Sequence, residues 1–433
     1  MMRLSRTLST GWFAAAGVTV TTSLLGVLTA APTATASAAA PTAQQLTCGQ
    51  TVTTSVVLTA DLLDCPGDGL IVGAHDLTID LNGHTVDGVG LGTGIRTNGF
   101  DRATLTNSAA TPAEVREFDY GVQLTPGTTG TIVERLTLRS NEWAGVELDN
   151  ADTNNRVRDN TVTQQSQRGI VLSGADGNTL AGNTVTANQG EGVYIENSTG
   201  NRVERNSITD SGDTALILEG SSTNTLLSNT VDGSSDGAIV LRLASNDNVV
   251  QSNSATQNSD AGLSLSDSTG NRVLSNTFHG SGDSGIALQY AHSTTITGND
   301  VSGNPGGIEL IHSDHNAIRS NIANDTTGDG ISVESSLGNT LELNQVNRND
   351  SRGIYVVGEA TAGTGNRILR NTANGNSADG IHVSKFVHTL QGNTTRDNRG
   401  WGIHAEQGNS DGGANRASGN AEAAQCSGVI CTP

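Results

Sequence analysis

The chain has a single lysine, Lys385, and its two methionines are its first two residues. Lysine and arginine together number 23 against 43 aspartates and glutamates, a formal charge of -20. A protein this short of positive charge is a poor partner for nucleic acid, or for an anionic polymer without a bridging cation, because such backbones need cations to neutralise them. With Met1 and Met2 at the extreme start, histidine is left as the copper donor. Cysteine is missing from the whole interior: Cys48, Cys65, Cys426 and Cys431 sit at the two ends. Neither pair has a histidine or further cysteine at zinc-site spacing, so disulfides are expected, Cys48 with Cys65 and Cys426 with Cys431 by proximity. After about residue 31, no apolar run is long enough to cross a bilayer.

What the chain has instead is asparagine at a regular interval. Asn160, Asn183, Asn206, Asn229, Asn253, Asn276, Asn299, Asn321, Asn344, Asn371 and Asn393 follow one another at steps of 22 to 24 residues, with one step of 27. A period of this length signals a solenoid whose repeats bury their apolar faces by stacking. Within a repeat such as Gly192 to Thr214, Val193 and Ile195 alternate with Tyr194 and Glu196, and single apolar residues follow at Val203 and Ile208. This is a period of two, and the density of Gly, Asn, Ser, Thr and Asp argues against helix. The same apolar columns recur down the chain. Three inward faces per turn predict a right-handed, triangular coil of three parallel sheets, an all-β right-handed parallel β-helix of about 13–16 rungs with capped ends.

A second series, Asn155, Asn178, Asn201, Asn224, Asn248, Asn271, Asn316, Asn339 and Asn366, has its gaps filled by Thr294 and His388. Asparagine suits a corner because its short amide tolerates the left-handed conformation, and because stacked amides form hydrogen-bonded ladders. These residues, Asn183, Asn206, Asn229, Asn253, Asn276 and Asn299 among them, are therefore assigned to structure. Arg3 and Arg6 precede an apolar, acid-free stretch that ends in small residues, the pattern of a secretory signal peptide over residues 1–38. The expected division is then a single β-helix over 39–433: N-terminal cap and irregular rungs 39–120, regular repeats 121–420 and C-terminal cap 421–433. Ser108 to Glu117 reads as an inserted loop, and the step of 27 as a loop extruded between Gly358 and Gly365.

Outward positions of the glycine-led strands form two columns, one through Glu309, Ser332, Tyr355, His382 and His404, the other through Glu334, Ser384 and Glu406. Glu309 and Glu334, one rung and two residues apart, should lie about 8 Å apart at Cα, in the range of an inverting glycosidase pair. A lyase would instead use Lys385 or His382 as base. His404 and Glu406 complete the catalytic candidates, and Tyr355, Trp401 and Tyr290 offer rings for stacking on sugars. His292, His312, Asp314 and His315 form a candidate metal cluster on adjacent corners. The column Asp213, Asp236, Asp260 and Asp283 leaves calcium as an optional ligand, and no other cofactor is expected.

Several segments carry a family resemblance: Cys48-Gly49 through Asp61-Leu62, Cys65-Pro66-Gly67-Asp68-Gly69-Leu70, Thr78-Ile79-Asp80-Leu81-Asn82-Gly83-His84-Thr85-Val86, and the repeated Gly-Ile/Val and Asn turns. They resemble secreted right-handed parallel β-helix proteins of the pectate-lyase-like fold. That group includes polysaccharide lyases, galacturonan hydrolases, uronan epimerases, phage tailspikes, adhesins and the periplasmic β-helix protein of nitrous oxide reductase maturation. The Asn-Thr-Asp, Asp-Asp, His-Gly and Arg-Ile-Lys set of the hydrolases is missing, as is the Asp-Pro-His-Asp of mannuronan epimerases. The resemblance implies a secreted, monomeric protein that binds extracellular or cell-wall polysaccharide and cleaves it by a lyase or hydrolase reaction if it is an enzyme. The alternatives are a non-catalytic adhesion or structural rod, and a metal-handling maturation protein. No nucleic acid and no membrane span after signal cleavage are expected.

Overall fold

Alternation with a period of two, interrupted every few residues by Gly, Asn or Asp, permits only short strands before the chain must bend. The computed structural model describes residues 41–358, 365–385 and 387–433. The expected leader (1–38) and most of the extruded loop (359–364) lie outside them. Among the described residues the regular elements are strands of two to six residues. The typical repeat contributes Val193–Glu196, Arg202–Glu204 and Ser207–Thr209, one to each of three sheets. Each pairs in parallel with its counterpart one repeat later: Val193 with Leu216, Val203 with Leu226 and Ile208 with Val231. The coil is the right-handed parallel β-helix that the sequence predicts.

The glycine-led sheet runs from Gln50–Val52 to Cys426–Ser427 and the first asparagine sheet from Thr42–Gln44 to Ser410–Asp411, 17 strands each. The second asparagine sheet divides into 10 strands and 4, joined only by single bridges through Asp300, Ile322 and Gln345. The inward Val, Ile and Leu columns fill the lumen without solvent exposure, each such side chain contributing about 1.5–3 kcal/mol by leaving water. The repeat-opening glycines are required by proximity. A Cβ on Gly262 would stand 2.6 Å from Phe278 Cβ and 2.8 Å from the carbonyl oxygen of Gly285, inside any tolerable contact. Disulfides join Cys48 to Cys65 and Cys426 to Cys431.

Two details differ from the sequence reading. The segment Ser108 to Glu117 is not only a loop: Glu114–Arg116 within it is a strand that pairs with Thr137 to Arg139 and buries Val115. One inward aliphatic per strand suffices to hold register, so the turns between can lengthen without losing the rung. The ladder asparagines, in turn, are not the left-handed residues. Positive φ falls on the residue before each, such as Asp159 (54°), Arg205 (52°), Ser228 (54°) and Ser252 (55°).

Asparagine is used at these corners for its amide. Each Oδ1 accepts the backbone N–H of the preceding rung's asparagine, as Asn206 does from Asn183 at 2.9 Å, and each Nδ2 donates to a buried carbonyl, Leu180 O at 3.0 Å for Asn206. A third ladder runs at the remaining corner through Gln165, Asn188, Asn258, Asn304, Asn349, Asn376, Asn398 and Asn420, with Ser234, Ser281 and Thr326 between them. It was legible as a third asparagine five residues after the second, but serine and threonine replace it on four rungs, Ser211, Ser234, Ser281 and Thr326, and hide the period.

Candidate functional site

The glycine-led strands present their even positions to solvent, and the parallel register stacks them into one column. Val171, Tyr194, Ile217 and Val240 are followed by Ser264, Ala287, Glu309, Ser332, Tyr355, His382 and His404. The face therefore changes character along the rod.

At the N-terminal end it is apolar and sealed. Ala144, Val171, Tyr194 and Ile217 form a second hydrophobic cluster outside the coil. The Arg168 guanidinium lies 3.9 Å over the Tyr194 ring, and the Tyr194 hydroxyl donates to Glu219 at 2.7 Å. Burial would raise Glu219, but its hydrogen bonds with Tyr194 and Arg242 hold it below the ordinary glutamate range. Arg168 pairs with Glu191, and Arg242 with Glu219.

Midway the side chains shrink. Ser264, Ala287, Ser284, Gly306 and Gly307 leave two adjoining depressions of about 260 and 190 Å³, and Asp283 and Glu309 line both. Asp329 and Ser332 close one end and Asp260 and Gln289 the other. The local sequence produces this groove. The rung from Asn299 to Asn321 is only 22 residues, and it carries Pro305-Gly306-Gly307 in place of the usual polar corner, with no bulk beyond Cα at the two glycines. It also coincides with the break in the second asparagine sheet. Burial raises Glu309 above the ordinary glutamate pKa, and the charges of Asp283 and Glu334 add to the effect. Asp260 is raised for the same kinds of reason, desolvation first and then Asp236 and Asp283. Glu334 itself is exposed and lines neither depression. The carboxylates sharing the groove with Glu309 are thus Asp283, Asp260 and Asp329. The sequence offers Asp260 and Asp283 only as members of the column that leaves calcium optional, because nothing in their spacing marks the rung where the wall drops away.

Beyond the groove a continuous train of contacts runs to the C-terminal rungs. Asp329 accepts from the Arg352 backbone N–H at 2.8 Å, Arg352 covers the Tyr355 ring at 4.0 Å, and Tyr355 meets His382 edge-on at 5.5 Å between centroids. His382 meets His404 at 4.7 Å, and Trp401 tilts over His404 at 5.8 Å. Sequence reasoning missed Asp379, which organises this end. Its Oδ1 accepts the Trp401 backbone N–H at 2.7 Å, and its Oδ2 lies 2.9 Å from His382 Nδ1 and 3.6 Å from His404 Nδ1. Burial pushes Asp379 up, but those hydrogen bonds and the histidines hold it below the ordinary aspartate range. Its signal was faint: the residue before the repeat-opening glycine changes from rung to rung, through Ser284, Gly306, Asp329, Arg352, Asp379 and Trp401, and marks no single site. Lys385 is exposed, and Glu406 is half-buried at the strand end, outside both depressions.

The four candidate ligands His292, His312, Asp314 and His315 serve the corners. His292 Nδ1 accepts the Asp314 N–H at 3.0 Å, and Asp314 Oδ1 accepts the Leu337 N–H at 2.7 Å. His312 and His315 occupy left-handed corner positions and are exposed, and His312 stacks on Tyr290 at 5.1 Å. Among the described residues, the group of three such side chains whose ligand atoms converge is instead Asp379, His382 and His404. Asp213, Asp236, Asp260 and Asp283 are exposed in one row, as their spacing implies.

Two family models match parts of the chain. Residues 214–366 match the right handed beta helix region, and residues 87–240 match the periplasmic copper-binding protein (NosD). No curated protein matches. Among solved structures, the chain is similar to the Dettilon tailspike protein, with a TM-score of 0.51, 15% identity, and 70% of this chain and 62% of that one covered. It is similar to the DFA-IIIase of Arthrobacter chlorophenolicus A6 without its lid, at 0.50 and 14% over 73% and 88%. It is also similar to the mannuronan C-5 epimerase AlgE6 A-module of Azotobacter vinelandii, at 0.49 and 12% over 88% and 91%. At such identities the likeness is one of fold.

Proposed function

We propose that this right-handed parallel β-helix protein binds a glycan along the glycine-led face and hydrolyses it in the acidic groove at Glu309. The tailspike and DFA-IIIase likenesses contribute the fold to this reading. The reading itself rests on one observation, a groove over a flat sheet where a half-buried glutamate with a raised pKa shares its walls with neighbouring aspartates. A carboxyl that holds its proton to higher pH than an ordinary glutamate can donate it to a glycosidic oxygen, while a second, ionised carboxylate orients water or stabilises the developing positive charge. Glu309 takes the first role and Asp283 the second. Tyr355 and Trp401, on the rungs beyond, offer rings against which sugar faces stack.

The groove also selects among glycans. A uronic-acid polymer would bring like charge against Asp260, Asp283 and Asp329, at about 0.8 kcal/mol for each pair 5 Å apart even in water. Neutral or amine-bearing glycans are the fitting class. Among the described residues no helix is long and apolar enough to cross a membrane. The two disulfides fit an extracellular or periplasmic setting; secretion through the 1–38 leader and a monomeric state complete the proposal.

The test incubates the purified protein with neutral, amine-bearing and uronic-acid glycans, following both retention on the polymer and release of reducing ends. Neutral or amine-bearing chains should be cut, and Glu309→Gln should lose about 100-fold or more of that rate while retention persists. The rate should fall as pH rises through the raised pKa of Glu309, because the proton donor is then lost. Retention without any cleavage would favour the rod, and an unchanged rate in Glu309→Gln would clear that residue.

A further inference from the structure

We propose that Asp379, His382 and His404 form a binding site for one divalent first-row transition metal ion of the zinc class. The inference stands apart from the groove, which lies three rungs away, about 14 Å at the spacing of parallel strands.

The site is assembled from two adjacent rungs. His382 and His404 are direct register partners in the glycine-led sheet, and Asp379 precedes the first of these strands by two residues. Strand register therefore places both imidazoles on the same outward column, and the corner turns the carboxylate toward them. The donor atoms of the three side chains all lie within 4.8 Å of one another. Around an ion with bonds of about 2.0–2.1 Å, neighbouring ligand atoms stand about 3.0–3.4 Å apart. Asp379 Oδ2 is 2.9 Å from one imidazole nitrogen and 3.6 Å from the other, values that bracket this range before any ion draws the groups together.

The carboxylate is also held in place for the task. Its other oxygen, Oδ1, is occupied by the Trp401 backbone N–H, which orients Oδ2 toward the histidines. Outer hydrogen bonds of this kind set the direction of a ligand and limit what it loses in entropy on binding. The Trp401 and Tyr355 rings flank the imidazoles and restrict their rotation. The three side chains are 15%, 19% and 33% exposed for Asp379, His382 and His404, so the niche is sheltered but open to an entering ion. Two imidazoles and one carboxylate favour zinc, copper(II), nickel or cobalt(II) over calcium and magnesium, which prefer oxygen alone. Three protein ligands leave a position for water or for a hydroxyl of a bound sugar.

The site lies outside residues 87–240, so the match to the copper-binding family contributes nothing to it. A metal-free arrangement, in which Asp379 simply accepts hydrogen bonds from the histidines, is the competing account, and solution measurement separates the two. The full chain, stripped with chelator and dialysed, is titrated with cobalt(II) and its visible spectrum recorded, then challenged with zinc and separately with excess calcium. The expected result is one cobalt per chain with an imidazole-type spectrum, displaced by zinc and not by calcium. His382→Gln and His404→Gln should each weaken binding by about 100-fold or more, with unfolding midpoints measured beside the unsubstituted chain to show that both variants fold. Failure to retain cobalt, equal displacement by calcium, or unchanged affinity in both folded variants overturns the proposal. None of these readouts uses glycan, so the outcome is independent of the groove.

Discussion

Replacing Asn253 with alanine should destabilise the coil by about 3–5 kcal/mol, and replacing it with aspartate should cost more at pH 8 than at pH 5. Asn253 is buried in the middle of the series that runs from Asn160 to Asn393. Its Oδ1 accepts the Asn229 backbone N–H at 2.9 Å and the Asn229 amide at 3.0 Å, and its Nδ2 donates to Leu226 O at 2.9 Å and Asn276 Oδ1 at 3.1 Å. Alanine leaves a buried N–H and a buried carbonyl without partners, at about 1–3 kcal/mol each, and adds a small void. Aspartate has the same shape and keeps the acceptor, but it sets a negative oxygen against the Leu226 carbonyl and the Asn276 Oδ1. Protonation would restore a donor there, hence the dependence on pH. Because each rung touches only its neighbours, the damage should be local. Hydrogen exchange should accelerate first in the rungs of Asn229, Asn253 and Asn276. An Asn253→Asp variant as stable as the parent at pH 8 would refute the ladder as an energetic device.

His388→Asn should flatten the acid side of the stability profile. His388 stands in the series that begins at Asn155, where other rungs carry asparagine. It is 2% exposed, and its Nδ1 accepts the Asn366 N–H at 2.9 Å. The proton therefore resides on Nε2, which finds no partner among the described residues. Desolvation lowers its pKa from 6.5 to about 4. Above pH 6.5 the ring is neutral folded and unfolded, and it contributes no pH dependence. Between 6.5 and 4 the unfolded chain takes up a proton that the folded chain refuses, so stability falls as pH falls. At 1.36 kcal/mol per pKa unit the full loss below pH 4 is about 3 kcal/mol. Asparagine can serve the same Asn366 N–H without titrating. Urea melts of parent and variant at pH 8, 6, 5 and 4 should agree within error at pH 8 and diverge by up to about 3 kcal/mol at pH 4. Parallel profiles would mean that His388 is not the group responsible.

These two residues show how unevenly function and fold are written in the chain. Asn253 announces itself, because it recurs and its neighbours one period away do the same work. His388 is legible only as the ladder position where the expected amide is missing. Glu309 could be placed in its column from spacing, yet its partner in the groove could not. Whether Asp283 or Glu334 faces it depends on how the Pro305-Gly306-Gly307 corner cuts back the wall, and on which side chains stay in solvent. Asp379 was hard to read for a related reason: the kind of contact that orients it, from the Trp401 N–H, also joins Asp329 to the Arg352 N–H, and only the two histidines beside Asp379 set it apart.

The sequence by itself determined the coil: the period, the inward aliphatic columns, the outward register and the amide ladders all follow from local rules of alternation and hydrogen-bond capacity, repeated often enough to be read. Only the tertiary structure decided where the face opens into a groove, which carboxylates line it, and where two imidazoles meet one carboxylate. Such features occur once, at departures from the repeat, and depend on distances and burial set by several neighbouring rungs together.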